Sequence, residues 1–339
     1  MENTKKQIVV IQTSFIGDVI LTTPLLRRVK EIYKDTKLYF VIQPHSFELM
    51  KNLEFIDEII VYDKRESHKG IKGFYRIVSI LRQIKPDIVI TPHRYFRSGL
   101  MTFLSGAKQR YGFDIFTIKF FYNKRRKYLR EKGVHETGRN IFLLTGKEED
   151  LEGERPSCPD FESIFSKFEN LVEKYNYFVF APHSVWQTKC WDKDYYLELA
   201  ELVFKNFGKT VVLIGSDDIY KNRKLDKYIL NFMGKTSLSE SASLIEFSNL
   251  LVTNDSAPLH IASAYNIPTI AIFGPTVPDF GFYPLSEKSR VVEVDNLGCR
   301  PCNIHGKQKC PLGHHRCMRL IKPDDIFKVI NQFFKQEDR

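Results

Sequence analysis

The chain has 339 residues, 43% hydrophobic and 27% charged, with a formal net charge of +10. That composition fits a globular protein with room for two domains and excludes low-complexity and solenoid chains. No apolar run approaches the ~20 residues that cross a bilayer, and Met1-Glu-Asn-Thr-Lys-Lys6 leads into a strand instead of a signal peptide. A cytoplasmic protein is expected, drawn by its charge to a polyanion: nucleic acid, an anionic membrane face or a phosphorylated substrate.

Residues 7–12 form a buried-strand run, the loop Thr13-Ser-Phe-Ile-Gly-Asp18 follows, and a helix extends to about residue 34 on Val19, Ile20, Leu25, Leu26 and Val29. Short strands are predicted at 38–42, 59–62 and 88–90, separated by helices at 45–51 and 70–84. A helix at 97–104, a strand within 106–112 and a helix at 135–144 complete this half, and the Gly/Glu/Pro-rich stretch 146–159 reads as a linker. The alternation restarts with a strand at 177–181, a polar loop at 183–191, a helix at 193–207 and a strand at 211–214, after which Gly215-Ser-Asp-Asp218 opens another helix. Strand 250–253, the turn Asn254-Asp-Ser256, a helix with Pro258 in its first turn and strand 268–273 come next. The pattern predicts an α/β fold of two doubly wound parallel sheets: a domain at 1–155 and a second at 156–339, the latter with a Cys-rich segment and a C-terminal helix. Ligands of such sheets bind where the strands end.

Polar residues gather at those ends. Asp18 either caps its own helix or acts as a base. Lys189, between Trp186 and Trp191, is either an exposed lysine or a held cation that neutralises a phosphate leaving group. Asp217 and Asp218 either cap or accept hydrogen bonds from ribose hydroxyls. Asp255 or Ser256 can cap the next helix, whose first amides at Ser256 and Ala257 face an anion, with His260 a turn further on. Neither a dinucleotide fingerprint nor a Walker loop is present.

The run Lys119-Phe-Phe-Tyr-Asn-Lys-Arg-Arg-Lys-Tyr-Leu-Arg130 mixes basic and aromatic residues, as an RNA-binding surface or a membrane-surface loop does, and as a solvated face also can. Cys299, Cys302, Cys310 and Cys317, with His305, His314 and His315 among them, either hold Zn²⁺ or are reduced, packed thiols. A basic run at 119–132 joined to a zinc-held tail makes nucleic-acid binding the alternative function.

Taken together these stretches resemble glycosyltransferase family 9, the ADP-heptose:lipopolysaccharide heptosyltransferases. The similarity is carried by Ile8-Val-Val-Ile-Gln-Thr-Ser-Phe-Ile-Gly-Asp18 with the later Pro24, by Phe96-Arg-Ser98, and by Ser105-Gly-Ala-Lys-Gln-Arg-Tyr-Gly112. It continues through His135-Glu136, Arg139-Asn140, Trp186-Gln-Thr-Lys-Cys-Trp191, Asn254-Asp-Ser-Ala-Pro-Leu-His260, Phe273-Gly-Pro-Thr276 and Cys310-Pro-Leu-Gly-His-His-Arg-Cys-Met318. Two positions depart from the pattern: Ala257 stands where the family commonly has Gly, and His183-Ser-Val185 where small residues are frequent.

The resemblance implies a GT-B architecture, two Rossmann-like domains facing across a cleft, with the acceptor on the first and the nucleotide sugar on the second. It implies inverting transfer, with Asp18 as the general base on the acceptor hydroxyl. Lys189 and Thr188 would contact donor phosphates, Asp255 the sugar, the amides of Ser256 and Ala257 the diphosphate, and His260 and Thr276 the donor. Arg97, Lys124, Arg125 and Arg126 are the expected acceptor contacts, to Kdo-lipid A or a lipopolysaccharide core at the anionic inner membrane, and no nucleic acid is needed. No Asp-x-Asp pair is read as a divalent-ion holder between the strands. Lys189 and the helix N-terminus take that role, so metal-independent catalysis with ADP-heptose and no further cofactor is expected.

Overall fold

The computed structural model describes residues 5–130 and 133–334. The N-terminal lead-in at 1–4, the last two residues of the 119–132 run and the stretch 335–339 lie outside the described residues. The chain divides into two compact units, Met1–Pro159 and Asp160–Arg339.

In the first unit six strands, β1 (Lys6–Ile11), β2 (Thr36–Ile42), β3 (Glu58–Val61), β4 (Ile88–Thr91), β5 (Gln109–Phe113) and β6 (Lys124–Arg126), form one sheet in the order β3-β2-β1-β4-β5-β6. Every pairing is parallel, with Ile8 opposite both Leu38 and Ile88. Ile8 to Ile11 are completely buried, as a central parallel strand covered on both faces must be. The single helix expected to residue 34 is two, Ile16–Ile20 and Thr23–Ile32. Pro24 has no N–H to continue the first helix and is suited to begin the second.

The second unit repeats the plan. Strands β7 (Tyr177–Ala181), β8 (Thr210–Leu213), β9 (Ile229–Asn231), β10 (Leu250–Asn254), β11 (Thr269–Phe273) and β12 (Ser289–Glu293) lie parallel in the order β12-β11-β10-β7-β8-β9. Read from the β9 edge, this is the order of the first sheet. Asp192 starts helix Lys193–Phe207 by accepting the Asp194 N–H at 2.9 Å, and Gly208, at φ 64°, closes it in the left-handed region. Helix Leu238–Glu246 begins on a capping box between Ser237 and Glu240, and helix Pro323–Phe334 lays Phe334 against Phe178.

The helix expected after Gly215 does not form. The stretch Tyr220-Lys-Asn-Arg-Lys-Leu-Asp-Lys-Tyr228 offers no apolar period for a helix to bury, and it turns into β9 instead. Asp218 fastens that turn, accepting from the Tyr220 N–H and from Asn231 Nδ2, each at 2.9 Å. Among the described residues no helix is long and apolar enough to cross a membrane. In each sheet the chain changes winding direction at one place: between β1 and β4, and between β7 and β10. The loops leaving those four strands hold most of the expected site residues.

Candidate active site

In the second unit the site is assembled around Asn254, the last residue of β10. Its Oδ1 accepts the Trp191 N–H at 3.0 Å and the Tyr196 hydroxyl at 3.3 Å, while Nδ2 donates to the Pro182 carbonyl at 2.9 Å. One buried amide thus ties the loop after β7 to the turn after β10. Trp191 is core, its indole N–H spent on the Ile321 carbonyl at 2.9 Å. Lys189 is not an exposed lysine. Its ammonium lies 2.6 Å from Oδ2 of Asp255, both side chains about nine-tenths buried, and the Thr276 hydroxyl donates to the same oxygen at 2.7 Å.

Asp255 is therefore not a helix cap. Ser256 is the N-cap residue of helix Ala257–Tyr265, but its hydroxyl makes no capping bond and sits 3.4 Å from the Thr253 hydroxyl. Pro258 has no N–H and the Leu259 N–H bonds the Ser256 carbonyl at 3.1 Å, so no side chain caps this helix N-terminus. His260, on that helix, is buried beside Asp255 and Lys189. Burial pushes its imidazole down to about 4, against the pull of the Asp255 carboxylate and with the push of the Lys189 ammonium. The ring is neutral at pH 7, and its Nδ1 is buried with no hydrogen-bond partner among the described residues.

Thr188, expected on the donor phosphates, is turned elsewhere. Its hydroxyl donates to the Lys307 carbonyl at 2.7 Å and accepts the Lys307 N–H at 2.8 Å, its own N–H reaches that carbonyl at 3.0 Å, and His315 Nε2 lies 2.8 Å from the Thr188 carbonyl oxygen. Gly306 allows this approach, since a Cβ there would stand 3.2 Å from Lys189 Cγ at a φ of +84°. The Cys-rich tail is thus a strap over the Lys189 loop, and sequence reasoning missed its main fastener. The Arg300 guanidinium donates to the carbonyls of Gly274, Val294 (2.6 Å), Thr276 (2.9 Å) and Phe273 (3.3 Å) and to the Glu293 carboxylate (2.6 Å).

The four cysteines of the tail lie within one another's field, and Cys299 Sγ is 4.0 Å from His314 Nε2. Among the described residues no three His, Cys, Asp or Glu side chains stand in a metal-holding arrangement, and the four cysteines of the tail form no disulfide. Cys317 packs in the core, where burial pushes its thiol up to about 11, and Cys302 Sγ lies 3.1 Å from the Cys299 carbonyl oxygen. Asp217 lies 3.5 Å from His183 Nε2, and Asp218 is spent on its own turn, as described above. An Asp-x-Asp spacing does occur, unremarked in the sequence reading, at Asp192-Lys193-Asp194: Asp192 caps a helix and Asp194 pairs with Arg223.

In the first unit Asp18 is the third residue of helix Ile16–Ile20 and does not cap it; Phe15 occupies the N-cap position. The Ser14 hydroxyl donates to Asp18 Oδ2 at 2.7 Å, and the Gln43 amide holds the loop by donating to the carbonyls of Thr13 (2.6 Å) and Ser14 (3.0 Å). From β4 comes His93, whose Nδ1 lies 2.7 Å from the Ser98 hydroxyl and 3.2 Å from that of Thr13. Burial, with the charges of Lys64 and Arg94, pushes His93 down to about 3. Arg94 pairs with Glu136 at 2.6 Å beneath the Tyr128 ring, and Arg139 reaches the other Glu136 oxygen at 3.1 Å. Although burial works to raise it, the Glu136 carboxyl is held below its ordinary value by those two arginines.

Lys64 and Arg65, which the sequence did not single out, stand beside the expected Arg97. Burial and the charges of Arg65 and Arg97 lower the Lys64 ammonium, which puts three cations within each other's field at the ends of β3 and β4. Arg97 also packs on the rings of Tyr62 and Phe74. Of the other expected acceptor contacts, Lys124 and Arg125 are exposed on the edge strand β6, and Arg126 folds under Gly146. The usable sequence signal was position alone: polar residues directly after a strand.

A family model described as "Glycosyltransferase family 9 (heptosyltransferase)" matches residues 74–313. The lipooligosaccharide heptosyltransferase 2 of Campylobacter jejuni subsp. jejuni serotype O:2 is 25% identical over 339 residues, covering 95% of this chain and 96% of that protein. The fold resembles the solved structure of Escherichia coli ADP-heptose LPS heptosyltransferase II, with a TM-score of 0.78 at 24% identity over 98% of this chain and 100% of the other. It also resembles E. coli heptosyltransferase WaaC with ADP, with a TM-score of 0.69 at 18% identity over 96% and 99% of the two chains. The architecture is the GT-B fold of those enzymes.

Proposed function

The chain belongs to glycosyltransferase family 9, and from that premise we propose that it moves a heptose from ADP-heptose to a lipopolysaccharide inner-core acceptor by an inverting, metal-independent displacement. The observation that carries the reading is the buried Lys189–Asp255 pair beside a helix N-terminus without a side-chain cap. Departure of a nucleoside diphosphate needs positive charge and N–H dipoles, and here both stand at one strand end. On donor binding the phosphates take the amides at Ser256 and Ala257 and part of the Lys189 charge. Asp255 then accepts hydrogen bonds from the sugar hydroxyls, and the neutral His260 ring finds its missing partner in the donor.

Inversion needs a base on the nucleophile, on the face opposite the leaving group. Asp18 takes that part, oriented by Ser14. Lys64, Arg65 and Arg97 meet the acidic groups of the acceptor core, whose negative charge relieves their mutual repulsion. Relatives named for lipooligosaccharide or lipopolysaccharide, and a neighbour solved with ADP, support this choice of donor and acceptor.

The test is transfer by the purified chain from ADP-heptose to Kdo-lipid A and to heptosylated cores, beside a panel of other nucleotide sugars, with and without chelator. Transfer from ADP-heptose that survives the chelator, with inversion at the anomeric carbon, is expected. Transfer only from another nucleotide sugar, or loss of activity on chelation with recovery on adding a divalent ion, refutes the corresponding part.

A further inference from the structure

We propose that the first unit docks on an anionic lipid bilayer through an aromatic and basic face formed by the loop after β5 and the edge strand β6. Phe116 and Phe120 are 78% and 70% exposed, which is unusual for rings in a chain that buries most of its apolar side chains. They are held out rather than loose. Phe121, next to them, seats on helix Phe96–Leu104 where Gly99 leaves room: a Cβ at Gly99 would lie 2.6 Å from the Phe121 ring. Phe121 also meets Phe96 edge-on at 5.1 Å and Phe103 at 6.2 Å, and those two rings are themselves about half exposed. The Lys119 ammonium lies over both protruding rings, 5.5 Å from Phe116 and 5.8 Å from Phe120.

Charge names the occupant. The segment 114–130 carries six basic side chains and a single acid, Asp114, and Lys124, Arg125 and Lys127 are exposed on or beside β6. Aromatic rings enter the boundary between headgroups and acyl chains while lysines and arginines stay with anionic headgroups, and neither group alone gives firm attachment. Position favours a bilayer over RNA. Phe96 begins the helix whose next residues, Arg97 and Ser98, stand with Lys64, Arg65 and His93 at the ends of β3 and β4, so the face is continuous with the proposed acceptor side. The inference rests on the proposed function for its purpose, since a lipid-linked acceptor is met at a bilayer, but its test does not depend on that chemistry.

The experiment is co-sedimentation of the full chain with vesicles of phosphatidylcholine, with or without phosphatidylglycerol, and with no donor or acceptor present. Salt-sensitive binding to the phosphatidylglycerol vesicles is expected. The double variant Phe116→Ser/Phe120→Ser should lower the partition coefficient by roughly tenfold or more at unchanged net charge, because two rings no longer leave water. Lys124→Glu/Arg125→Glu should abolish the preference for the anionic lipid. The phenylalanine variant should keep wild-type turnover on a soluble, delipidated acceptor, which shows that it is folded. Vesicle binding that is indifferent to the two phenylalanines overturns the proposal, as does binding to a polyribonucleotide in place of vesicles. A chain that binds vesicles yet transfers no heptose leaves the docking face standing and sinks the proposed function; one that transfers but ignores vesicles does the reverse.

Discussion

Lys189 and Asp255, 66 positions apart in sequence, share one buried ion pair, and the Thr276 hydroxyl donates to the oxygen that receives the lysine. Removing either partner strands the other charge where water does not reach. Lys189→Met should cost roughly 3–5 kcal/mol of stability and lower kcat/KM by about 10²–10³-fold. The double variant Lys189→Met/Asp255→Leu should regain most of the melting temperature and none of the activity. Recovery of both would place the pair in the scaffold alone.

Asp18→Asn keeps the shape of the side chain and the helix. It should lower kcat by about 10²–10⁴-fold with donor affinity unchanged, since the proposed donor groups lie in the other unit. Donor titration by calorimetry beside steady-state kinetics separates the two effects, and an equal loss of donor binding would assign Asp18 to structure.

Three groups set opposing trends of stability with pH. His93 and His260 titrate at about 3 and about 4 in the folded chain against an ordinary 6.5. The unfolded chain therefore takes up their protons first, and stability present above 6.5 is lost as the pH falls toward 4, by at most about 1.4 kcal/mol per pH unit for each histidine. Glu246 runs the other way: burial, then the charges of Asp160 and Glu162, raise it from 4.5 to about 7, so its contribution is present below 4.5 and lost as the pH rises through 7. Thermal melts of His260→Gln should show a shallower acid limb, and those of Glu246→Gln a steeper rise between pH 4.5 and 6.5. Parallel curves for wild type and both variants would contradict this account.

Arg300 binds the carbonyls of Phe273 and of Thr276 itself, and the Thr276 hydroxyl in turn donates to Asp255. Arg300→Met should raise KM for the donor more than it lowers kcat, and reduce stability by roughly 3–5 kcal/mol. Arg300→Lys keeps the charge without the fork and should fall between. A kcat effect with normal KM would mean that the loop acts on the chemistry and not on donor placement.

The central strands were legible because a parallel strand covered on both faces must be apolar throughout, as Ile8 to Ile11 and Tyr177 to Ala181 are. The edges were not. Lys124-Arg-Arg126 pairs with β5 through backbone alone, and nothing in three basic side chains announces a strand. Candidate site residues could be picked where they stand just past a strand, as Asp255 does after β10, or in the first helical turn that follows one, as Asp18 does after β1. Their partners could not, since the Lys189–Asp255 bond and the turning of Thr188 toward Lys307 depend on distant chain. In the tail the cysteines drew attention away from Arg300, because the cysteine spacing makes a pattern in sequence and a guanidinium satisfied by five acceptors makes none.

The strap from Lys307 to His315 is completed long after the loop it fastens, since Thr188 and Lys307 are 119 positions apart. During synthesis the loop bearing Lys189 leaves the ribosome well before its clamp exists. A growing chain can form β7 to β11 while the Thr188–Lys307 bonds are still unmade. On the proposed function, a fragment ending near residue 300 should fold much of its second sheet while being unable to retain the nucleotide.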